Sequence, residues 1–122
     1  MSAGPPPYSR TKFAGDLLFT SGHIGRRTDG TLDEGIVEQT RQTLENLEAS
    51  LVDVGLNRND IVRATVYLSD MSLWSEMNIP YREFFDTQLP ARSAVCVGLP
   101  AGILIEIDAV ALRDTNESSA AL

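Results

Sequence analysis

From Ile36 to Val54 one stripe of residues (Ile36, Thr40, Leu44, Leu47, Leu51 and Val54) recurs in steps of 4, 4, 3, 4 and 3. That spacing stays on one side of a 3.6-residue helix and leaves the other side polar. It predicts an amphipathic helix, and such a helix needs an apolar surface to lie on. Gly55 stands where the stripe ends, because glycine readily takes the left-handed backbone that closes a last turn. A second stripe, Trp74, Met77, Tyr81, Phe84 and Phe85, stops before Pro90 and reads as a core-facing helix, not an aromatic ligand box. The surface that receives both helices must come from the segments around them, where the period falls to two.

Those segments are strand-like. After the extended Gly4-Pro5-Pro6-Pro7 entry, "SRTKF" leads through a turn at Ala14-Gly15-Asp16 into "DLLFTSGHIG". "RRTDGT" is a loop with an Asp-Gly turn. "DIVRATVYLSD" alternates, with Val62, Ala64, Val66 and Leu68 on one face. "PARSAVCVGLPAGILIEIDAVAL" places two apolar runs around Gly98–Gly102, a hairpin signal. The order is strand, strand, helix, strand, helix, strand, strand. The chain is therefore an α+β single domain with two helices on one face of its sheet, followed by a frayed tail at 113–122.

Composition narrows the chemistry. With 43% hydrophobic residues the chain is not of disordered type, and 10 basic against 17 acidic residues leave a net charge of -7 that disfavours nucleic acid. One histidine, His23, and one cysteine, Cys96, exclude an intrachain disulfide and leave almost nothing for a metal centre or a Cys-His pair. No signal segment and no run of 18 apolar residues is present, so a cytoplasmic protein without a membrane partner is expected.

Two charges interrupt the last apolar stretch, Arg92 and Glu106. If the terminal hairpin pivots on Leu99, these two stand directly across from each other on one face. Side-chain parity then gives Val95, Val97, Ile103, Ile105 and Ile107 to the helix-covered face. Arg92, Ala94, Cys96, Leu104, Glu106, Asp108 and Val110 fall on a mixed face that other subunits would cover. A cross-strand salt bridge worth at most about 1 kcal/mol is one reading of the pair. A ligand site is the other.

The segments "PPYSR", "LLFTSGHIG", "EGIVEQTRQTLENLEASL", "DIVRATVYLSDM", "MNIPYREFF" and "LPARSAV…LP…ILIEIDAVA" resemble, in order, the RidA/YjgF family of enamine/imine deaminases over residues 5 to 112. The resemblance implies a chorismate-mutase-like α+β fold with a mixed sheet and two helices on one face, a homotrimer with clefts between subunits, and no metal or organic cofactor. It implies hydrolysis of 2-imino acids, formed from 2-aminoacrylate or 2-aminocrotonate, to 2-oxo acids and ammonia. By position, Arg92 matches the arginine that holds the substrate carboxylate and Glu106 the glutamate that positions or activates water. Tyr8, Ser21, Gly22 and Asn78 match pocket-lining, substrate-binding positions. A carboxylate-binding module without catalysis and an endoribonuclease-like activity are the competing functions.

The sequence also departs from the family pattern. Only Gly98 separates Val97 from Leu99, where the family has two residues. His23 replaces a common glutamine and reads as a surface or loop residue, or as one that modifies substrate preference. Ala94 stands where some members have cysteine. Cys96 is expected to be a small buried hydrophobe with no role in the reaction.

Overall fold

The computed structural model describes residues 4–114. Strands β1 (Thr11–Ala14) and β2 (Leu17–Thr20) form a hairpin, and α1 (Ile36–Val52) follows a long loop. β3 (Ile61–Leu68), α2 (Trp74–Phe85), β4 (Ala91–Cys96) and β5 (Ile105–Leu112) complete the chain. The sheet order is β1-β2-β5-β3-β4. β3 and β4 run parallel across α2, and the other neighbours are antiparallel.

The two stripes seat the helices on one face, as their periods require. Leu44, Leu47 and Leu51 of α1, with Met77 and Phe85 of α2, are buried with Leu18, Val66, Leu68, Ile105 and Ile107 of the sheet. At the end of α1, Leu56 N–H bonds to the Leu51 carbonyl and Gly55 N–H to that of Val52. This is a Schellman closure around Gly55, whose φ is +85°. Trp74 is the exception among the aromatics. It is 45% exposed, and Pro80 is buried in the same helix.

The terminal hairpin does not form. β4 and β5 both pair with β3 and never with each other. The connection between them straddles the end of β3, with Val97 N–H on the Leu68 carbonyl and Ser69 N–H on that of Leu104. Two strand spacings, about 10 Å, must be crossed, and a tight turn cannot span them. A Gly-Pro-rich turn reports that the chain reverses, not which strand lies beside it. The position between β5 and β4 goes to β3, whose Ala64, Val66 and Leu68 are fully buried.

Inserting β3 also changes the face assignments. Arg92, Ala94 and Cys96 register with Ala64, Val66 and Leu68 and so turn toward the helix side. Ile105, Ile107, Ala109 and Ala111 are the core-facing positions of β5, so Glu106, Asp108 and Val110 face the other way. Val95 therefore does not share a face with Ile105; it is 39% exposed. An irregularity between Ile61 and Arg63 turns Ile61 into the core and leaves Val62 exposed. Cys96, expected to be buried, is exposed near the end of edge strand β4.

The sheet face away from the helices carries Phe19 (44% exposed), Val95 and Leu112, with Val110 half-buried among them. Arg113, assigned by sequence to the tail, is held in place. Its N–H bonds to the Asp16 carbonyl, and its guanidinium lies 4.3 Å from the Phe13 ring centroid. The remainder of that tail, 115–122, lies outside the described residues.

Candidate active site

Arg92 sits near the start of β4, beside the small Ala64, and reaches toward α2. Its Nη1 donates to Asn78 Oδ1 at 2.7 Å and approaches Met77 Sδ at 3.9 Å. The guanidinium lies over the Tyr81 ring, 4.7 Å from its centroid. Met77 and Asn78 can share this task with Tyr81 because they stand four and three residues before it, one helical turn away. Tyr81 is only 4% exposed, and its hydroxyl has no partner among the described residues. Burial pushes its pKa up to about 12, against the opposing charge of Arg92.

Among the described residues Arg92 forms no ion pair, and Asn78 and Met77 are its only protein acceptors. A guanidinium has five N–H donors in a fixed fork. Most of that fork is left for a ligand in a cleft of about 330 Å³ that Trp74, Leu89 and Pro90 also line.

Glu106 belongs to a second cluster. It pairs in register with Tyr67 on β3, and Tyr67 is an odd number of residues from Ala64, the partner of Arg92. The two charges thus lie on opposite faces of the sheet, with β3 between their strands. Within one chain neither the cross-strand salt bridge nor a shared substrate is possible. The parity assumed for a hairpin fails because the hairpin is absent.

The Glu106 carboxylate lies against Gly22. A Cβ at position 22 would overlap Glu106 Oε2 and stand 2.7 Å from its Cδ, so only glycine leaves this space. Beside it, Tyr67 Oη donates to Asp108 Oδ2 at 2.7 Å, and that bond, with burial second, holds the phenol above its ordinary pKa. Ser21 Oγ donates to the Ser9 carbonyl at 2.6 Å, and Ser21 N–H to that of Arg10 at 2.9 Å. These bonds tie the N-terminal segment, with exposed Tyr8, to the end of β2. A cleft of about 680 Å³ is lined by Tyr8, Ser21, Gly22, His23, Asn46 and Ser50 among others, and Gly22 is its link to Glu106.

The six residues marked by the sequence therefore form two groups. Tyr8, Ser21 and Gly22 line one cleft, which Glu106 meets at Gly22, and Asn78 gathers with Arg92. Sequence reasoning missed Tyr81 as the support of the guanidinium, treating it as core alone. The signal was there, since Asn78 and Tyr81 are three apart on one helix.

His23 is neither a surface nor a free loop residue. It is partly buried, Nδ1 lies 2.8 Å from the Ser21 carbonyl and Nε2 lies 2.7 Å from Ser50 Oγ. A carbonyl only accepts, so Nδ1 carries the proton and Nε2 accepts from the serine hydroxyl. This pattern suits the neutral ring. Burial lowers the His23 pKa, the Ser21 bond opposes that shift, and Arg10 adds to it.

Since the folded value lies below the ordinary 6.5, the unfolded chain binds the proton more tightly. The contribution of His23 to stability is complete above pH 6.5 and is lost as pH falls through the folded value. As the only histidine in the chain, His23 gives one imidazole signal in an NMR titration. Its midpoint is expected below 6.5; a midpoint at or above 6.5 contradicts the assigned hydrogen bonding.

Among the described residues no group of three or more His, Cys, Asp and Glu side chains could hold a metal ion. No helix there is long and apolar enough to cross a membrane.

Residues 2–113 match the protein-family profile described as Endoribonuclease L-PSP. A RutC family protein of Pyrococcus horikoshii is 43% identical over 111 residues, which cover 88% of each chain. The Escherichia coli protein named "Putative reactive intermediate deaminase TdcF" is 36% identical over 112 residues, 88% of this chain and 87% of that one. Its crystal structure with bound serine superposes with a TM-score of 0.84 at 34% identity, covering 91% of both chains. The crystal structure of the YjgF gene product of E. coli superposes with a TM-score of 0.82 at 35% identity, covering 92% of this chain and 91% of the other.

Proposed function

Since the chain belongs to the Endoribonuclease L-PSP family, the RidA/YjgF family that its sequence resembles, we propose that it hydrolyses small 2-imino acids at sites assembled between three copies. The observation that carries this reading is the separation of the two charges. Arg92 waits unpaired on one side of the sheet and Glu106 lies against Gly22 on the other. A site that uses both must take them from different chains. The apolar residues left uncovered on the open face, Phe19, Val95 and Leu112, support such an assembly, because their burial between copies is favourable.

In this mechanism the Arg92 fork grips the substrate carboxylate through two parallel hydrogen bonds. Asn78 and the Tyr81 ring keep the guanidinium plane fixed before substrate arrives, so little orientation is lost on binding. Glu106 of a neighbouring copy orients a water molecule toward the C=N carbon and takes a proton as the C–O bond forms. Return of that proton to nitrogen gives the carbinolamine, and transfer of its hydroxyl proton to the same nitrogen as the C–N bond breaks releases ammonia and leaves the 2-oxo acid. The sum is one imino acid and one water in, one 2-oxo acid and one ammonia out. No redox partner is needed, and since imines hydrolyse unaided, a sparse site is sufficient. The bound serine described for TdcF carries an α-carboxylate of the kind Arg92 would hold, which supports the reading. The net charge of -7 weighs against RNA as substrate.

The test is to generate 2-aminoacrylate with a cysteine or serine lyase and to follow pyruvate. Added protein is expected to speed pyruvate release, and light scattering is expected to give the mass of three chains. Unchanged pyruvate release, with 2-oxo acid binding retained, would return the protein to a binding role. A stable monomer at micromolar concentration would remove the assembled site.

A further inference from the structure

We propose that His23 is a positioning residue for Glu106, acting through Gly22; the inference rests on the catalytic role proposed above for Glu106. The path is short. Glu106 packs on Gly22, where a Cβ would collide with it, so any shift of Gly22 changes where the carboxylate can rest. The next residue, His23, exchanges both backbone hydrogen bonds with Ile107, the residue after Glu106, at 2.8 and 2.9 Å. The two segments are thus locked together one residue beyond the contact between Gly22 and Glu106.

The His23 ring fixes this segment from its other side. Nδ1–H closes back on the Ser21 carbonyl, which sets the bend at Gly22, and Nε2 accepts from the buried Ser50 Oγ of α1. α1 also holds the following stretch through Asn46 Nδ2, which donates to the Ile24 and Arg26 carbonyls at 2.9 and 2.8 Å. Asn46 therefore secures residues 24–26. Among the described residues, the side-chain link from α1 to Ser21, Gly22 and His23 is the imidazole. One ring joins the helix layer, the Gly22 bend and the strand that carries Glu106.

The experiment compares His23→Ala, Ser50→Ala and His23→Gln with the wild-type chain in imine hydrolysis. His23→Ala is expected to lower kcat about 10- to 100-fold, the cost of a misplaced group, with KM within about threefold, because Arg92 is untouched. Ser50→Ala loses one of the two bonds and is expected to fall between wild type and His23→Ala. His23→Gln, whose amide has both a donor and an acceptor, is expected to recover kcat to within about threefold of wild type.

Wild-type kcat in His23→Ala overturns the positioning role. So does a loss of kcat matched by equal losses of 2-oxo acid affinity and melting temperature, since that reports general unfolding. If the wild-type chain is itself inactive, the deaminase reading falls, and the ¹³C chemical shift of the Glu106 carboxyl at one fixed pH still decides this inference. A resonance displaced by His23→Ala supports it, and superimposable resonances overturn it.

Discussion

Glu106→Gln is expected to lower kcat for imine hydrolysis by about 10²–10⁴-fold, the range for loss of a positioned general base. Affinity for the 2-oxo acid product is expected to stay within about threefold, because Arg92, which holds the carboxylate in the proposed mechanism, remains intact. The amide keeps the size of the carboxylate and fits the space beside Gly22, but it has no oxygen that can take a proton from water. The melting temperature is expected to be unchanged or raised, since Glu106 shares its face with Asp108 and neutralising it relieves repulsion. Arg92→Lys should show the complementary pattern. The charge survives, but the fork is lost, so KM rises and product affinity falls before kcat does. Assays of kcat, product affinity and melting temperature on both variants check these outcomes. Near-wild-type turnover in Glu106→Gln would remove the glutamate from the mechanism.

Two inactive variants are expected to restore activity when they share an assembly. In a trimer whose every site takes Arg92 from one copy and Glu106 from the next, neither Arg92→Ala nor Glu106→Gln alone has an intact site. Co-expression mixes the chains. A site is whole whenever a copy that retains Arg92 precedes one that retains Glu106, which random assortment gives for about one quarter of sites. Activity should therefore rise from about 1% or less to roughly a quarter of wild type, a gain well outside the scatter of an assay. Refolding the two variants together should give the same result, and mixing them without subunit exchange should give none. A co-expressed product no more active than the mean of its parents would place both groups in one chain. The sheet register argues against that outcome, because Arg92 aligns with Ala64 and Glu106 with Tyr67 on opposite faces.

Much of the site was legible as residue types. Arginine and glutamate in an apolar stretch are costly to bury, and a planar fork facing a carboxylate-bearing substrate is an economical reason to keep one. Gly22 was marked only by resemblance, and its physical cause is the carboxylate that occupies its missing side chain. His23 was read as peripheral because no sequence pattern connects it with Ser50, 27 residues away. Tyr81 and Trp74 belonged to one aromatic stripe, yet one is buried under a guanidinium and the other is exposed beside the cleft.

What the sequence by itself determined are the quantities that a short window of chain contains. The steps from Ile36 to Leu51 impose a helix with one apolar side, Gly55 ends it, and the alternation in β3 and β5 fixes which of their residues can face a core. Those follow from the 3.6- and 2-residue periods and need no knowledge of neighbours. Only the tertiary structure decided which strands touch. A strand satisfies its backbone bonds equally well beside any partner of suitable length. The choice of β3, not β4, as the neighbour of β5 came from burying Ala64, Val66 and Leu68 between two strands and away from the sheet edge. That choice sends Arg92 and Glu106 to opposite faces, because inserting one strand replaces a direct register between them with two separate ones.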